Sequence, residues 1–470
     1  MTVGEHAFHD LLISRKNDIY VPPSTPFYFP DMNRKDEDDK SRGKDALSLE
    51  YYIKYLLLAL GYARIWPTES FSPLKILLSW GATIVFISAN FLLLFSEIVV
   101  LTMNNDLKLF ANIIGVINMH FVGLMKWCYC IWRNKEIVDI VEQLKKCHVL
   151  CQRINDSKKG CQIYKNEMEH ARKHSNFFVW WWTLVCIYGV LHWCSTPLLL
   201  EWAPDQINSI NYTFKTRNLP FVGWYPLNTD NTYNYVCLYL MQVIGGLSSA
   251  LGIVCYDTFY VSMLMVVCAQ FQYINTILVT IDFANVPEAI FILESKLKNC
   301  VKCHSEIIKF LKMLQAFSGP IMFVQCIETL TILCLVSFEA SVIKIAIDME
   351  SILKLWNLLE YFLCGAFQLY IFCFFATQLE HLGLQIAHSM YSCGWELIIF
   401  EKKGQIDFKT QLKQQRSVSQ LIRISMVRAQ RPIVLTGGPF YVLSLETFRV
   451  IMGMAISNSV ILRTISDTGE

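Results

Sequence analysis

The sequence predicts an all-α, polytopic membrane protein with seven transmembrane helices. Of its 470 residues, 54% are hydrophobic and 17% are charged, whereas soluble domains carry roughly 45–50% apolar and about 25% charged residues. Long runs without Asp, Glu, Lys or Arg recur along the chain, and about 18 consecutive apolar residues suffice to cross a bilayer. The formal net charge of +2 provides no basic field for nucleic acid, so no nucleic-acid partner is expected.

Seven apolar segments define the predicted spans. They lie at about 73–102, 107–132, 175–201, 232–276, 306–341, 355–385 and 443–465. Span four is too long for one crossing, but CYDTF at 255–259 has no Pro, Gly or Asn cluster to support a turn, so one helix that continues into the cytosol is predicted. Span seven is the weakest because Glu446 and Arg449 lie within it. At i and i+3 they are expected to form an ion pair.

Residues 1–72 form the predicted cytosolic N-terminal segment. Within it, 46–66 is apolar, but its uncharged centre is too short to cross, so an interfacial amphipathic helix ended by Pro67 is expected. Basic residues set the orientation, because Lys and Arg are retained on the cytoplasmic side. Thirty of them fall in the segments assigned to the cytosol and five in those assigned to the outside. The C-terminal tail, 466–470, is therefore predicted to be extracellular.

The charged flanks of the later spans predict a cytosolic helical bundle. Extended spans four to six and the helix before span seven form it, the last within a cytosolic anchor segment at 378–431. The predicted outer loop contains the sequon Asn-Tyr-Thr at 211–213, so Asn211 is a predicted glycosylation site. The outer loops hold no cysteine, and no disulfide framework is expected.

Enzyme motifs are missing from the sequence, which has no P-loop, GxSxG, HExxH or paired CxxC metal spacing. No enzymatic activity, cofactor or metal is therefore expected. A seven-span G-protein-coupled receptor would have its N-terminus outside, contrary to the charge distribution, and inverted repeats of a transporter are not visible. These two classes stay as alternatives.

Four short stretches in the C-terminal third follow one another in a recognisable order. They are YSCGWE at 391–396, RAQRP at 428–432, LTGG at 435–438 and LSLETF at 443–448. Together they resemble the insect odorant receptor family, in which a Cys-x-Trp near the end of span six, an Ala-Gln-x-Pro, a Leu-Thr-Ala-Gly-like turn and Ser-Leu-Glu-Thr-Phe occur in this order. LPF at 219–221 with WYP at 224–226 looks like the family's outer loop. Length, span number and the inverted topology fit the family over essentially the whole chain.

The resemblance implies an odorant-gated, non-selective cation channel subunit in the plasma membrane of olfactory sensory neuron dendrites. It also implies a heterotetramer with the odorant receptor co-receptor and a small, volatile, hydrophobic ligand. The chain looks unlike the co-receptor, which has a longer cytosolic insertion before its last spans, and resembles a tuning receptor instead. Gustatory-receptor-like channels remain an alternative, although the Thr-Tyr and Gln-Phe pair of their span seven is absent here.

The resemblance places the ligand pocket between spans two, three, four and six. Affinity for an odorant comes largely from apolar burial, with few polar groups to orient it. Carried over by position and spacing, the candidate lining residues are Ile113, Val116 and Ile117 on span two, Cys186, Gly189, His192 and Trp193 on span three, Met241 and Ile244 on span four, and Phe367 and Tyr370 on span six. His192 and Tyr370 are the candidate hydrogen-bond partners.

Span seven of each subunit is expected to line a central pore. Residues that face one axis recur at i, i+3, i+4 and i+7, so Ser457, Ile461, Thr464 and Ile465 form one candidate stripe. A ring of Ile would act as a dewetting gate, and the hydroxyls would contact a partly hydrated cation. The alternative is that this stripe packs against span five. Ligand burial is expected to move spans six and seven together through the cytosolic bundle and so widen the Ile rings.

Overall fold

Helices make up nearly all of the regular structure. The computed structural model describes residues 48–67, 73–103, 107–154, 157–202, 218–280, 289–342, 349–395, 408–439 and 441–468. In chain order the elements are α1 (Leu49–Tyr52), α2 (Lys54–Tyr62), α3 (Pro73–Met103), α4 (Leu107–Trp132), α5 (Asn134–Gln152), α6 (Lys158–Trp202), α7 (Thr232–Val279), α8 (Ala289–Val342), α9 (Met349–Tyr391), α10 (Phe408–Ala429), β1 (Thr436–Gly437), β2 (Tyr441–Val442) and α11 (Leu445–Thr468). The predicted all-α class is confirmed, with one short hairpin added. Asn211 lies outside the described residues.

Six helices within the described part of the chain are long and apolar enough to cross a membrane. Their apolar portions are Pro73–Met103, Ile113–Trp132, Lys158–Leu199, Thr232–Val279, Phe291–Ala340 and Ser351–Tyr391. Helix α11, which contains predicted span seven, is not among them. Its charges, Glu446, Arg449 and Arg463, lower its mean hydropathy, so it requires protein or water on part of its surface.

Helix α7 is the central element of the bundle. Asn231 caps it by accepting a hydrogen bond from the Tyr233 amide at 3.0 Å. Every residue from 254 to 271 is buried, as expected of a helix that is apolar on all sides. At its crossing with α4 the backbones touch, because a Cβ on Gly252 would lie 2.0 Å from the carbonyl oxygen of Gly123. Small residues are what allow two membrane helices to approach this closely.

Four long helices extend beyond the apolar segments. Helices α7, α8 and α9 do so as the sequence analysis anticipated for spans four to six, and α6 does so as well. Helix α6 begins at Lys158 rather than near residue 175. The prediction started too late because the first turns of this helix are charged and a search for apolar runs does not detect them. The extensions pack against α5 and α10.

Polar contacts hold this extended bundle together. Asn275 of α7 donates to the carbonyl of Leu382 in α9 at 3.1 Å and accepts from the Ser389 hydroxyl at 2.8 Å. Between α5 and α8, the thiols of Cys151 and Cys303 lie 2.8 Å apart. Burial raises the pKa of the Cys151 thiol, so this contact joins neutral thiols.

The hairpin positions α11. Its strands pair antiparallel, and Gly438 in the turn has φ of 63°, a backbone conformation that favours glycine. The side-chain amide of Gln315 in α8 pairs with the backbone of Thr436, donating at 2.7 Å and accepting at 3.0 Å. Ser444 then caps α11 by accepting from the Thr447 amide. The entry to α11 is therefore tied to the middle of α8.

The segment predicted as an interfacial helix forms α1 and α2. Leu49, Tyr52 and Leu56 are among its buried side chains and join the main apolar core, and the carbonyl of Ala63 accepts a hydrogen bond from Trp127 at 3.0 Å. Tyr62 on the other side is 67% exposed. One face of the segment thus packs on the bundle.

Candidate functional site

Three predicted pocket residues from spans two and three meet in one apolar cluster. Val116 of α4 packs there with Cys186 and Trp193 of α6, together with Phe221 from the loop before α7. The indole of Trp193 and the phenyl ring of Phe221 stack with centroids 6.4 Å apart. The ring of Tyr361 in α9 meets Trp193 edge-on at 6.4 Å. Residues far apart in the sequence thus form an aromatic lining.

The loop before α7 covers this cluster. The Gln242 side chain accepts from the Phe221 amide and donates to the Phe221 carbonyl, each at 2.9 Å. It also donates to the Tyr225 hydroxyl at 2.9 Å, and Ser96 of α3 donates to the same oxygen at 2.9 Å. These bonds hold the LPF and WYP segments against α3 and α7. Sequence reasoning found these segments by resemblance but missed Gln242.

A small cavity lies beneath this loop. Its volume is about 10 Å³, and Glu97, Ile113, Val116 and Val222 line it. A space of this size holds roughly one water molecule, so an odorant would require the surrounding helices to move apart. The Glu97 carboxylate accepts from Nδ1 of buried His120 at 2.9 Å, and the sequence analysis did not single out this histidine–carboxylate pair.

A buried polar pair joins α6 and α9. Nδ1 of His192 lies 3.0 Å from Oε2 of Glu360, and both side chains are largely buried. A Cβ on Gly189 would lie 3.0 Å from Oε1 of the same carboxylate. Gly189 therefore makes room for Glu360, which the sequence-based list of pocket residues did not include.

The remaining pocket candidates are more dispersed. Ile117, Met241 and Ile244 are half-buried on α4 and α7. Phe367 packs against Trp181 and Trp182, with centroids 4.8 and 5.7 Å away, and shares the main core with Cys186.

Tyr370 lies where α9 meets the predicted pore helix. Its ring packs edge-on against Phe448 of α11, with centroids 5.6 Å apart, and stacks on Phe374 of its own helix at 5.9 Å. This position links the predicted ligand-binding helix α9 to α11.

A buried polar network crosses the centre of the bundle. Nζ of Lys126 on α4 donates to Oδ1 of Asp257 on α7 at 2.7 Å, with side chains 0% and 1% exposed. Oδ2 of Asp257 accepts from the Gln368 amide on α9 at 2.5 Å and from the Trp182 indole on α6 at 3.2 Å. Four membrane helices therefore meet at one carboxylate.

The network continues to a fifth helix. Gln325 of α8 donates to Oε1 of Gln368 at 3.0 Å and contacts Glu328 and Thr329 on its own helix. In the sequence, this polar network is indicated by two charged residues, Lys126 and Asp257, which interrupt otherwise apolar segments. An ionisable residue inside a membrane helix is a functional candidate by default, but only the fold shows that these two are partners.

The predicted pore stripe lies on the exposed side of α11. The buried face contains Ile451, Ala455 and Ser459, and α11 packs chiefly on α8. Ser457, Ile461 and Thr464 are exposed, and at 3.6 residues per turn they lie on the opposite face. The alternative that the stripe packs against span five within one subunit is therefore wrong for these three residues. Ile465 belongs to the same helix.

The expected ion pair between Glu446 and Arg449 is wrong. Both side chains are exposed, and no ion pair joins them among the described side chains. Helical spacing puts Glu446 on the same side of α11 as Thr464, opposite the buried face.

Comparison with protein families and curated sequences gives a consistent result. The model of the family described as 7tm Odorant receptor matches residues 108–456. Odorant receptor 13a of Drosophila melanogaster is 22% identical over 301 residues, covering 63% of this chain and 68% of that protein. Odorant receptor 83a of the same organism is 20% identical over 342 residues, with the same two coverages.

Solved structures share the fold. The insect olfactory receptor OR5 from Machilis hrabei superposes with a TM-score of 0.69 at 15% sequence identity, covering 90% of this chain and all of that one. The same receptor in complex with eugenol gives a TM-score of 0.67 with the same identity and coverage. At this identity the likeness concerns the arrangement of helices.

Proposed function

Because the chain belongs to the insect odorant receptor family, a family of receptors rather than enzymes, we propose that it is a tuning subunit of an odorant-gated, non-selective cation channel. It assembles with co-receptor subunits into a heterotetramer in the plasma membrane of olfactory sensory neuron dendrites. The N-terminus lies in the cytosol, the C-terminus outside, and α11 is the seventh span. The uneven distribution of basic residues supports this orientation.

The exposed face of α11 carries this proposal. A helix with exposed Ser457, Ile461 and Thr464, and with charges in its sequence, is a poor lipid-facing helix but is suited to line a water-filled axis shared by several subunits. Ile461 and Ile465 form the gate, and the hydroxyls of Ser457 and Thr464 contact the passing cation. A single subunit cannot close such a pore, which favours an oligomer.

The odorant binds among α4, α6, α7 and α9, beneath the loop before α7. Trp193, Cys186 and Val116 supply apolar surface that is removed from water, at about 25 cal/mol per Å². Ile113, Ile117, Met241, Ile244 and Phe367 extend that surface, and Gly189 and His192 form its edge toward α9. The cavity of about 10 Å³ is too small for an odorant, so binding requires these helices to separate.

Separation of these helices is coupled to the pore through two contacts. The first is Tyr370 of α9, which packs on Phe448 of α11. The second is the α11 N-terminus, where the Leu445 amide donates to the Thr377 hydroxyl of α9 at 3.1 Å. An odorant that binds the open arrangement more tightly shifts the population toward open channels.

The test is whole-cell current from cells expressing the chain with and without a co-receptor, under a G-protein blocker and a broad odorant panel. We expect a rapid cation current that needs the co-receptor and ignores the blocker. A blocker-sensitive response would instead establish a G-protein-coupled chemoreceptor.

A pair of variants on α11 tests the gate. Ile461→Ala is expected to raise the current without ligand, because a smaller side chain leaves a wider and wetter constriction. Ile456→Ala is the matched control, since Ile456 is exposed on the same helix but lies off the stripe by helical spacing. Equal basal currents in Ile461→Ala and the unmodified chain would remove Ile461 from the gate.

A further inference from the structure

The contact between α6 and α9 buries two hydrogen-bond acceptors of α9 that no donor satisfies among the described residues. They are Oε1 of Glu360 and Oδ1 of Asn357. The two residues are three apart on α9, so both oxygens belong to one helix face. Asn357 is 7% exposed, and its amide nitrogen is 3.4 Å from the Thr196 hydroxyl of α6. The face therefore looks toward α6.

Oε1 of Glu360 can accept a hydrogen bond whether His192 is protonated or neutral. Oε2 lies 3.0 Å from Nδ1 of His192, an ion-pair distance without the geometry of a hydrogen bond, and the proton that this pair can carry resides on the imidazole or on Oε2. In the first case Glu360 is a carboxylate, and in the second Oε1 is a carbonyl oxygen, which also only accepts. A group that offers another lone pair to Oε1 is disfavoured in both cases.

The surroundings provide the apolar part of a binding site. Trp193 and Tyr361 follow His192 and Glu360 in the sequence, and their rings meet at 6.4 Å. Gly189 packs directly against Oε1, where a Cβ would lie 3.0 Å away, so a ligand reaches this oxygen only when α6 and α9 separate. Leaving a buried acceptor unsatisfied costs free energy, and a ligand that donates a hydrogen bond there recovers it.

We propose that Glu360 and Asn357 form an acceptor subsite and that the ligand is a small apolar molecule carrying one hydrogen-bond donor, a hydroxyl or an amine. This rests on the odorant-binding function proposed above. The subsite discriminates against ethers of the same shape, because an ether oxygen cannot donate and would leave both acceptors unpaired.

Matched compounds test the proposal. We would apply cyclohexanol, cyclohexylamine and methoxycyclohexane, and likewise benzyl alcohol, benzylamine and benzyl methyl ether, to cells expressing the full chain with a co-receptor. At least one alcohol or amine is expected to open the channel at a concentration roughly tenfold or more below its ether, a difference of about 1.4 kcal/mol. Equal potency of each donor compound and its ether would overturn the proposal.

Variants assign the preference to the subsite. Glu360→Gln keeps the shape but adds an amide donor, so the preference for donor over ether is expected to fall to near unity as the ether gains potency. Asn357→Leu removes an acceptor and is expected to reduce the preference without helping the ether. Glu380→Gln, farther along α9, is the matched control and is expected to leave the preference unchanged. Surface labelling of each variant checks folding.

A binding measurement separates this proposal from the channel function. The part of the Trp fluorescence quenching of the detergent-purified full chain that disappears in Trp193→Phe reports ligand near Trp193, because the chain has 12 Trp residues, and it does so independently of current. Donor-preferring quenching that Glu360→Gln abolishes, without any current, would refute the channel function but support the subsite. Quenching without donor preference, or none with any of the six compounds, would overturn the subsite.

Discussion

Removal of the Asp257 charge should destabilise the receptor strongly, and removal of Lys126 as well should restore it. Their 2.7 Å ion pair is essentially excluded from solvent. Asp257→Asn retains an oxygen for the Trp182 and Gln368 donors, so the variant isolates the loss of charge. Lys126 is left with the rings of Tyr256 and Phe372, at 5.3 and 6.0 Å, which compensate only partly.

The magnitude follows from the burial. Leaving one charge of a buried pair without its partner costs about 3–5 kcal/mol, whereas replacing both partners by uncharged groups is often close to neutral. A loss of about 3 kcal/mol lowers the ratio of folded to unfolded protein by roughly a hundredfold. Lys126→Met combined with Asp257→Asn should therefore be more stable than Asp257→Asn alone.

The assay is thermal unfolding of detergent-solubilised receptor, followed by fluorescence-detected size exclusion. The unmodified chain, both single variants and the double variant form a double-mutant cycle, which yields the interaction free energy of the two side chains. Additive losses in the double variant would refute the reasoning, because they would mean that the two charges do not stabilise each other.

Three further predictions concern packing, the outer loop and the pore. Gly252→Ala should abolish folding, since its Cβ would lie 2.0 Å from the Gly123 carbonyl oxygen. Gly453→Ala should be tolerated, because a Cβ there has nothing within 4 Å. Surface expression of the two variants tests this difference, and equal expression would contradict it. Gln242→Leu breaks the bonds that hold the outer loop and should speed cleavage of that loop by an external protease, and an unchanged rate would contradict the loop's dependence on this amide. Glu446→Lys should lower single-channel cation conductance by electrostatic repulsion if its carboxylate faces the pore axis, and equal conductance would place it elsewhere.

Much of the helical architecture could be predicted from the sequence because the bilayer imposes a simple rule. A crossing helix needs about twenty apolar residues in a row, so charge-free runs predicted the helices to within a few residues at most ends. The undivided α7 was predicted from the lack of turn residues at 255–259. The same rule missed the first turns of α6, since a charged helix outside the membrane does not produce an apolar run.

The site was predicted only in part. Helical spacing correctly grouped Ser457, Ile461 and Thr464 on one face of α11, because spacing within a helix follows from its geometry. It could not show that this face is exposed, or that Glu446 and Arg449 remain apart, since both depend on where neighbouring helices lie.

The sequence by itself determined the class of protein, its helices and the grouping of Ser457, Ile461 and Thr464 on one face of α11, since each depends on residues close together in the chain. Only the tertiary structure decided that Lys126 pairs with Asp257, that Glu360 lies beside Gly189 and His192, and that Gln242 holds the outer loop. These partners are separated by many residues, and a single sequence contains no distance information between helices. Their pairing follows from the cost of burying a polar group without a partner, which the fold meets through contacts between helices.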